Sequence, residues 1–211
     1  MLGFNQSKAD SDVWMRRDKH TYEYIAVYTD DLAIASGNPQ AIVDALEKGA
    51  GFKLKGVGPI NYHLGCDYAR DADGTLCCGP KKYIEKMVTA YEQMFGEAPK
   101  QYSSPLEKND HPELDDSPEL GLEDITRYQS MIGALQWAIS LGRFDVQTAV
   151  MTMSRFRAAP RVGHIERLKR IYGYLRKFKH GAIRVRVGIP DMSNTPDIEH
   201  AWMDTVYGKV R

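Results

Sequence analysis

Tyr24-Ile25-Ala26-Val27-Tyr28-Thr29-Asp30-Asp31-Leu32-Ala33-Ile34-Ala35 is an apolar stretch interrupted at its centre by two adjacent carboxylates. Strand-forming residues flank the acids on both sides, so the stretch predicts a hairpin over residues 22–36 with Asp30 and Asp31 at its tip. Two like charges that lose hydration side by side repel each other, and a divalent cation is the simplest compensation. The same residues also suit a solvated acidic turn, because Asp is common where a hairpin reverses.

Working outward, Asn38 and Pro39 open a helix whose buried stripe is Ile42, Ala45, Leu46 and Ala50, with a short strand at Phe52-Lys53-Leu54 after it. A second hairpin is expected from strands near Tyr62–Arg70 and Thr75–Cys78, joined by Asp71-Ala72-Asp73-Gly74. That turn is no calcium loop: its register would put Ala69 and Pro80 where ligands are needed. Residues 81–95 carry a helical stripe of Tyr83, Ile84, Met87, Val88 and Tyr91. An acidic, Pro-bearing linker follows over 99–122, expected to be mobile around Asp110–Pro118. Three further helices are predicted at 125–140, 145–157 and 164–179, with Asp145 capping the second and Phe178 closing the buried face of the third. Residues 182–188 alternate like a strand, and the tail from Ile189 has no clear period.

At 211 residues with 43% hydrophobic content, the chain can bury a real core. Its formal charge of zero conceals two opposite patches. From Arg155 to Arg186 there are eleven basic residues against Glu166 alone, whereas from Ser103 to Thr126 eight acids face Lys108 alone. On the predicted third helix, Arg167, Arg170 and Lys177 share a stripe with Tyr174, a pattern suited to sequence-independent phosphate contacts or to an ordinary solvated face. The odd number of cysteines (Cys66, Cys77, Cys78) and the lack of a cationic, apolar leader argue for free thiols and an intracellular compartment, cytoplasmic or nuclear. Zinc at His63, Cys66, Cys77 and Cys78 is disfavoured, since adjacent cysteines do not easily share one tetrahedral ion. No apolar run reaches the length of a membrane span.

Tyr28-Thr29-Asp30-Asp31 between apolar strands resembles the catalytic hairpin of reverse transcriptases, and the flanking blocks resemble the copia-type retrotransposon branch. These are Gly3-Phe4-Asn5-Gln6-Ser7-Lys8-Ala9-Asp10, Gly58-Pro59-Ile60-Asn61-Tyr62-His63-Leu64-Gly65, Tyr128-Gln129-Ser130-Met131-Ile132-Gly133-Ala134-Leu135, Arg143-Phe144-Asp145-Val146 and Arg170-Ile171-Tyr172-Gly173-Tyr174-Leu175. The resemblance runs in unbroken order over residues 3–187. Phe144 stands where the family usually has proline, and Thr29 where it more often has valine.

The resemblance implies an α+β fold: a partial polymerase palm (1–98), the acidic linker (99–122), a helical thumb (123–180) and the start of the connection with a tail (181–211). It implies RNA-directed DNA synthesis, in which paired Mg2+ ions assist attack of a primer hydroxyl on a dNTP. Asp30 and Asp31 would be metal ligands, Tyr28 would lie beside the primer end, and Leu64 and Gly65 would belong to a primer grip. Thr29, also β-branched, should keep the strand geometry. Arg167, Arg170, Tyr174 and Lys177 would contact the RNA template/DNA primer duplex. The implied partners also include the polyprotein's integrase and ribonuclease H. A further palm aspartate and the fingers have no counterpart in this sequence, so little or no activity is expected of the chain alone. The alternative is a non-catalytic, nucleic-acid-binding remnant or domesticated fragment.

Overall fold

The alternation around the acidic pair does fold as a hairpin. The computed structural model describes residues 2–18 and 21–185 and the backbone of 203–205 and 208–210; the chain divides into two units, Met1–Ala69 and Arg70–Arg211. In the first, β1 (Asn5–Gln6), β2 (Val13–Asp18), β3 (Thr21–Tyr28) and β4 (Asp31–Ala35) form an antiparallel sheet in that order. Tyr24 lies opposite Met15 and Ala35, and Tyr28 opposite Asp31. Opposed residues share a face, so β3 buries Glu23 and Ile25 on one side and leaves Tyr22, Tyr24 and Tyr28 exposed on the other. Glu23 is held by Arg16 Nε at 2.5 Å and by the Ser36 hydroxyl. Ser36, then Arg16, keep its pKa below the usual carboxylate range.

Asn38 caps α1 (Pro39–Asp44), its Oδ1 accepting from the Ala41 N–H at 3.2 Å. The helix buries Ile42 and Val43. Of the rest of the expected stripe, Ala45 and Leu46 are half-buried and Ala50 is exposed, where the helix widens into a π-turn over Ala45–Gly49. No strand forms at Phe52-Lys53-Leu54; residues 51–61 are irregular and Phe52 is exposed. The single strand expected over Tyr62–Arg70 is instead a hairpin of β5 (Tyr62–His63) and β6 (Cys66–Arg70), with His63 paired to Cys66.

In the second unit, Asp71–Thr75 closes a turn in which the Gly74 N–H donates to the Asp71 carbonyl at 2.9 Å. Arg184 Nη2 sits 2.5 Å from Asp71 and 3.1 Å from Asp73, putting a guanidinium between the two acids. β7 (Leu76–Gly79) pairs antiparallel with β8 (Ile183–Val185); residues 186–188 of the expected strand lie outside the described residues. α2 (Lys81–Phe95) has its expected bounds and stops at Gly96, whose φ of +75° suits a helix terminus. α3 (Leu122–Ser140), α4 (Gln147–Ser154) and α5 (Val162–Lys177) pack with α2 around Ile84, Met87, Tyr128, Leu135, Val150 and Leu168. Phe178 departs from expectation: it is exposed, just past the end of α5. In the tail, β9 (Met203–Thr205) pairs with β10 (Gly208–Val210). Among the described residues, no helix is long and apolar enough to cross a membrane.

Asp145 does not cap α4. Its carboxylate takes two bonds from the buried Arg143, at 2.9 Å from Nε and 2.7 Å from Nη2, and α4 begins without a side-chain cap. A buried guanidinium requires a counter-ion, and that demand outweighs capping. Burial works against the Asp145 carboxylate, but Arg143 and the Tyr174 hydroxyl outweigh it and hold its pKa low.

Candidate nucleic-acid interface

At the β3–β4 tip the register leaves only Thr29 and Asp30 as turn residues. Thr29 therefore does not continue the strand. Its φ is +54°, a left-handed conformation that a β-branched residue adopts only at a cost of about 1–3 kcal/mol. Asp30, Asp31 and Tyr28 are all exposed, so the carboxylates keep their hydration and the desolvation expected of them is absent. Asp12 borders the same end of the sheet, where its carbonyl accepts from the Val27 N–H at 2.8 Å. Asp10 Oδ1 accepts from the Asp12 N–H at 2.9 Å. Even so, among the described residues no three His, Cys, Asp or Glu side chains are grouped to hold a metal ion. Two carboxylates supply donors of the kind magnesium takes, but they do not make up a two-ion site, and the fit is incomplete.

Leu64 and Gly65 form the β5–β6 turn, with φ of +50° and +85°. Two positive φ values in succession define the tight turn normally filled by Asn-Gly. Leucine in the first position is strained, and it is also exposed.

The basic stripe of α5 is largely occupied. Arg167 grips Asp110 with Nε and Nη2 and reaches Asp115 with Nη1 at 2.5 Å. Asp110 and Asp115 are nearly buried by this contact. Arg170 bonds Glu107 at 2.8 Å and Ser104, and stacks on the Tyr102 ring. Lys177 donates to Ser103 Oγ at 2.7 Å, and Tyr174 hydrogen-bonds Asp145. The linker is thus a strap laid along α5. Near Asp110–Pro118, where mobility was expected, the strap is packed through these ion pairs and through the buried His164, whose ring bridges the Pro112 carbonyl and the Arg161 N–H, both at 3.0 Å. Burial opposes ionisation of Asp115, but Ser117 and Arg167 prevail and its pKa is lowered. The two charged patches meet through Arg161, Arg167 and Arg170, which pair with Glu119, with Asp110 and Asp115, and with Glu107.

Two glycines of α5 explain how the strap lies so close. A Cβ on Gly163 would fall 1.8 Å from Asp115 Oδ2, and one on Gly173 would fall 1.8 Å from the Lys100 carbonyl oxygen. Gly133 in α3 differs, since a Cβ there would meet nothing within 4 Å. Glycine in a helix interior costs about 1 kcal/mol relative to alanine, and among the described residues no packing supplies a reason for it. Around Gly133 the exposed face of α3 carries Thr126, Gln129, Ser130, Trp137 and Ser140, and its only charged residue among the described ones is Glu123 in the first turn, paired with Arg127. Trp137 is 53% exposed. This face escaped the sequence reading because it lacks basic residues; the available signal was a glycine and a tryptophan four apart on a helix side whose last three turns carry no charge.

Residues 1–103 match the family described as reverse transcriptase (RNA-dependent DNA polymerase). A Saccharomyces cerevisiae protein named for transposon Ty5-1 is 28% identical over 192 residues, covering 89% of this chain and 59% of that protein. The retrovirus-related Pol polyprotein from transposon RE1 of Arabidopsis thaliana is 26% identical over 204 residues, 96% of this chain but 13% of the polyprotein. That from transposon TNT 1-94 of Nicotiana tabacum is 28% identical over 178 residues, 80% of this chain and 13% of the polyprotein. The chain thus spans less than two thirds of these relatives. No solved structure matches it.

Proposed function

We propose that this chain, a retrotransposon reverse-transcriptase segment by its likeness to Pol polyproteins, contributes a nucleic-acid-positioning surface and part of a metal site to RNA-directed DNA synthesis. Residues 1–98 would be the late palm and 123–180 the thumb. Tyr28 would lie by the primer end with Asp30 and Asp31 as two of the metal ligands, and the strained Leu64-Gly65 turn would bring backbone close to the primer strand. When bound, magnesium would stabilise the attacking and leaving oxygens of nucleotidyl transfer. The protein's own part is to hold the duplex.

The observation that carries this reading is Gly133, a helix glycine with open space around it among the described residues, flanked by the uncharged Gln129, Ser130, Trp137 and Ser140 of α3. Uncharged donors and a missing Cβ suit close approach to the minor groove, whose acceptors vary little with sequence. The Arg167–Arg170–Lys177 stripe is engaged by the strap, so phosphate contacts along α5 do not carry the proposal.

The test is primer extension on an RNA template with magnesium, alongside duplex binding. The expected result is binding without extension, with binding lost in Trp137→Ala. Magnesium-dependent incorporation abolished by Asp30→Asn would overturn the proposed inactivity, and binding unchanged by Trp137→Ala would overturn the role of α3.

A further inference from the structure

The strap and α5 run in opposite directions, and their ion pairs form a ladder. Arg161 meets Glu119, Arg167 meets Asp115 and Asp110, and Arg170 meets Glu107. In the last turn of α5 the ladder loses its acids. Lys177 donates to the Ser103 hydroxyl at 2.7 Å and lies over the Phe178 ring, and Arg176 donates to the Pro99 carbonyl at 2.9 Å. Among the described residues neither base is paired with a carboxylate. The facing stretch of the strap, Pro99-Lys100-Gln101-Tyr102-Ser103-Ser104-Pro105-Leu106, contains no acid, and Lys100, 5.9 Å from the Tyr102 ring centroid, adds a third cation. A charged donor ending on a neutral hydroxyl makes a weaker bond than one ending on an anion, by roughly a factor of two. At Ser103, then, a hydroxyl stands on the rung where the pattern calls for negative charge.

We propose that Ser103 is a phosphorylation site and that its phosphate completes the ladder by pairing with Lys177. The phosphoryl donor is a nucleoside triphosphate held by an external serine kinase. The Ser103 Oγ bonds to the γ-phosphorus, the bond from that phosphorus to the bridging oxygen breaks, the diphosphate leaves, and the hydroxyl proton passes to a base of the kinase. Ser103 is open to such an enzyme because it is exposed and lies in a stretch that is neither helix nor strand. Ser104 is less suited: it is half-buried, and its hydroxyl and carbonyl both accept from Arg170, which already holds Glu107. A phosphate brings nearly two negative charges and several strong acceptor oxygens, enough to engage Lys177 and a second donor. The negative end of the α5 dipole, about half a charge, opposes it, but Arg176 and Lys177 in that turn outweigh the dipole. The modification fastens the start of the strap to α5, and it involves neither the acidic hairpin nor the exposed side of α3.

The test compares the chain carrying phosphoserine at position 103, installed during synthesis, with the unmodified chain. The thermal midpoint should rise by roughly 2–5 °C, and the rise should shrink in high salt. Trypsin cleavage after Lys108 should slow by about threefold, as opening of the strap becomes rarer. Lys177→Ala should remove most of the gain that phosphate brings, whereas Lys177→Arg should keep it. Phosphopeptide mapping of the chain recovered from its own cells should find the group on Ser103. A phosphorylated chain that melts at or below the unmodified one would overturn the proposal, as would a gain that survives Lys177→Ala intact or a recovered chain without phosphate at Ser103.

Discussion

Gly133→Ala and Gly173→Ala are the same substitution in two helices and should act in opposite directions. Each replaces glycine by the best helix former, a gain of about 1 kcal/mol. At Gly133 nothing opposes the gain, because the new methyl meets open space. At Gly173 the methyl would lie 1.8 Å from the Lys100 carbonyl and 3.0 Å from the Tyr102 ring, so the strap must lift. With it go the bonds from Arg176 to the Pro99 carbonyl at 2.9 Å, from Arg170 to Ser104, and from Lys177 to Ser103. These are partly exposed, so about 1 kcal/mol each is a fair figure. The net effect is a loss of about 2 kcal/mol, in the range of other overpacked sites. In a unit of this size the melting midpoint should fall by roughly 4–8 °C for Gly173→Ala and rise by roughly 2–4 °C for Gly133→Ala. Thermal scans by circular dichroism read both shifts, and trypsin cleavage after Lys108 should accelerate only in Gly173→Ala. A Gly173→Ala protein that melts at or above the parent, with unchanged nicking, would refute the seating of the strap on α5.

Two further outcomes follow from the first unit. Because Ser36 and Arg16 depress the Glu23 pKa below its ordinary value of 4.5, their stabilisation is complete above that value and fades as pH falls through the lowered one; urea midpoints measured from neutral pH into the acid range should drop more steeply for the parent than for Glu23→Gln. Thr29→Asn should stabilise by about 1 kcal/mol in denaturant titration, since asparagine tolerates the left-handed conformation at this turn, and a destabilised variant would mean that the hydroxyl has an unseen partner.

Period and punctuation made the helices legible. The buried sets of α4 and α5, Val146, Ala149, Val150 and Met153 and then Ile165, Leu168, Ile171 and Leu175, lie in the core as their spacing predicts, because a helix without a buried stripe has nothing to pack with. Long-range pairing was not legible. Asp110 and Asp115 meet Arg167 across more than fifty residues, and no local pattern records which acid a base will find. The balanced charge of two adjacent runs and the glycines of α5 were the traces of it. Asp145 resembled a cap because its rival, Arg143, acts through burial, and burial is invisible in a sequence. At Leu64-Gly65 a leucine sits where turn chemistry favours asparagine, so the hairpin gave no signal. The candidate site divided the same way: the acidic pair was evident, whereas its exposure and the uncharged turns of α3 required coordinates.

The pairing of Leu76 with Val185 and of Cys78 with Ile183 places the way into the helical unit beside the way out. Everything between them, all four helices and the strap, hangs from one pair of strands as a closed loop. A chain arranged like this can be cut at the strap's exposed Lys108 and rejoined across the β7–β8 pair, or carried as a cassette into another protein, with little change in the distance its ends must bridge. Such a unit keeps its two ends together whatever is rearranged around it.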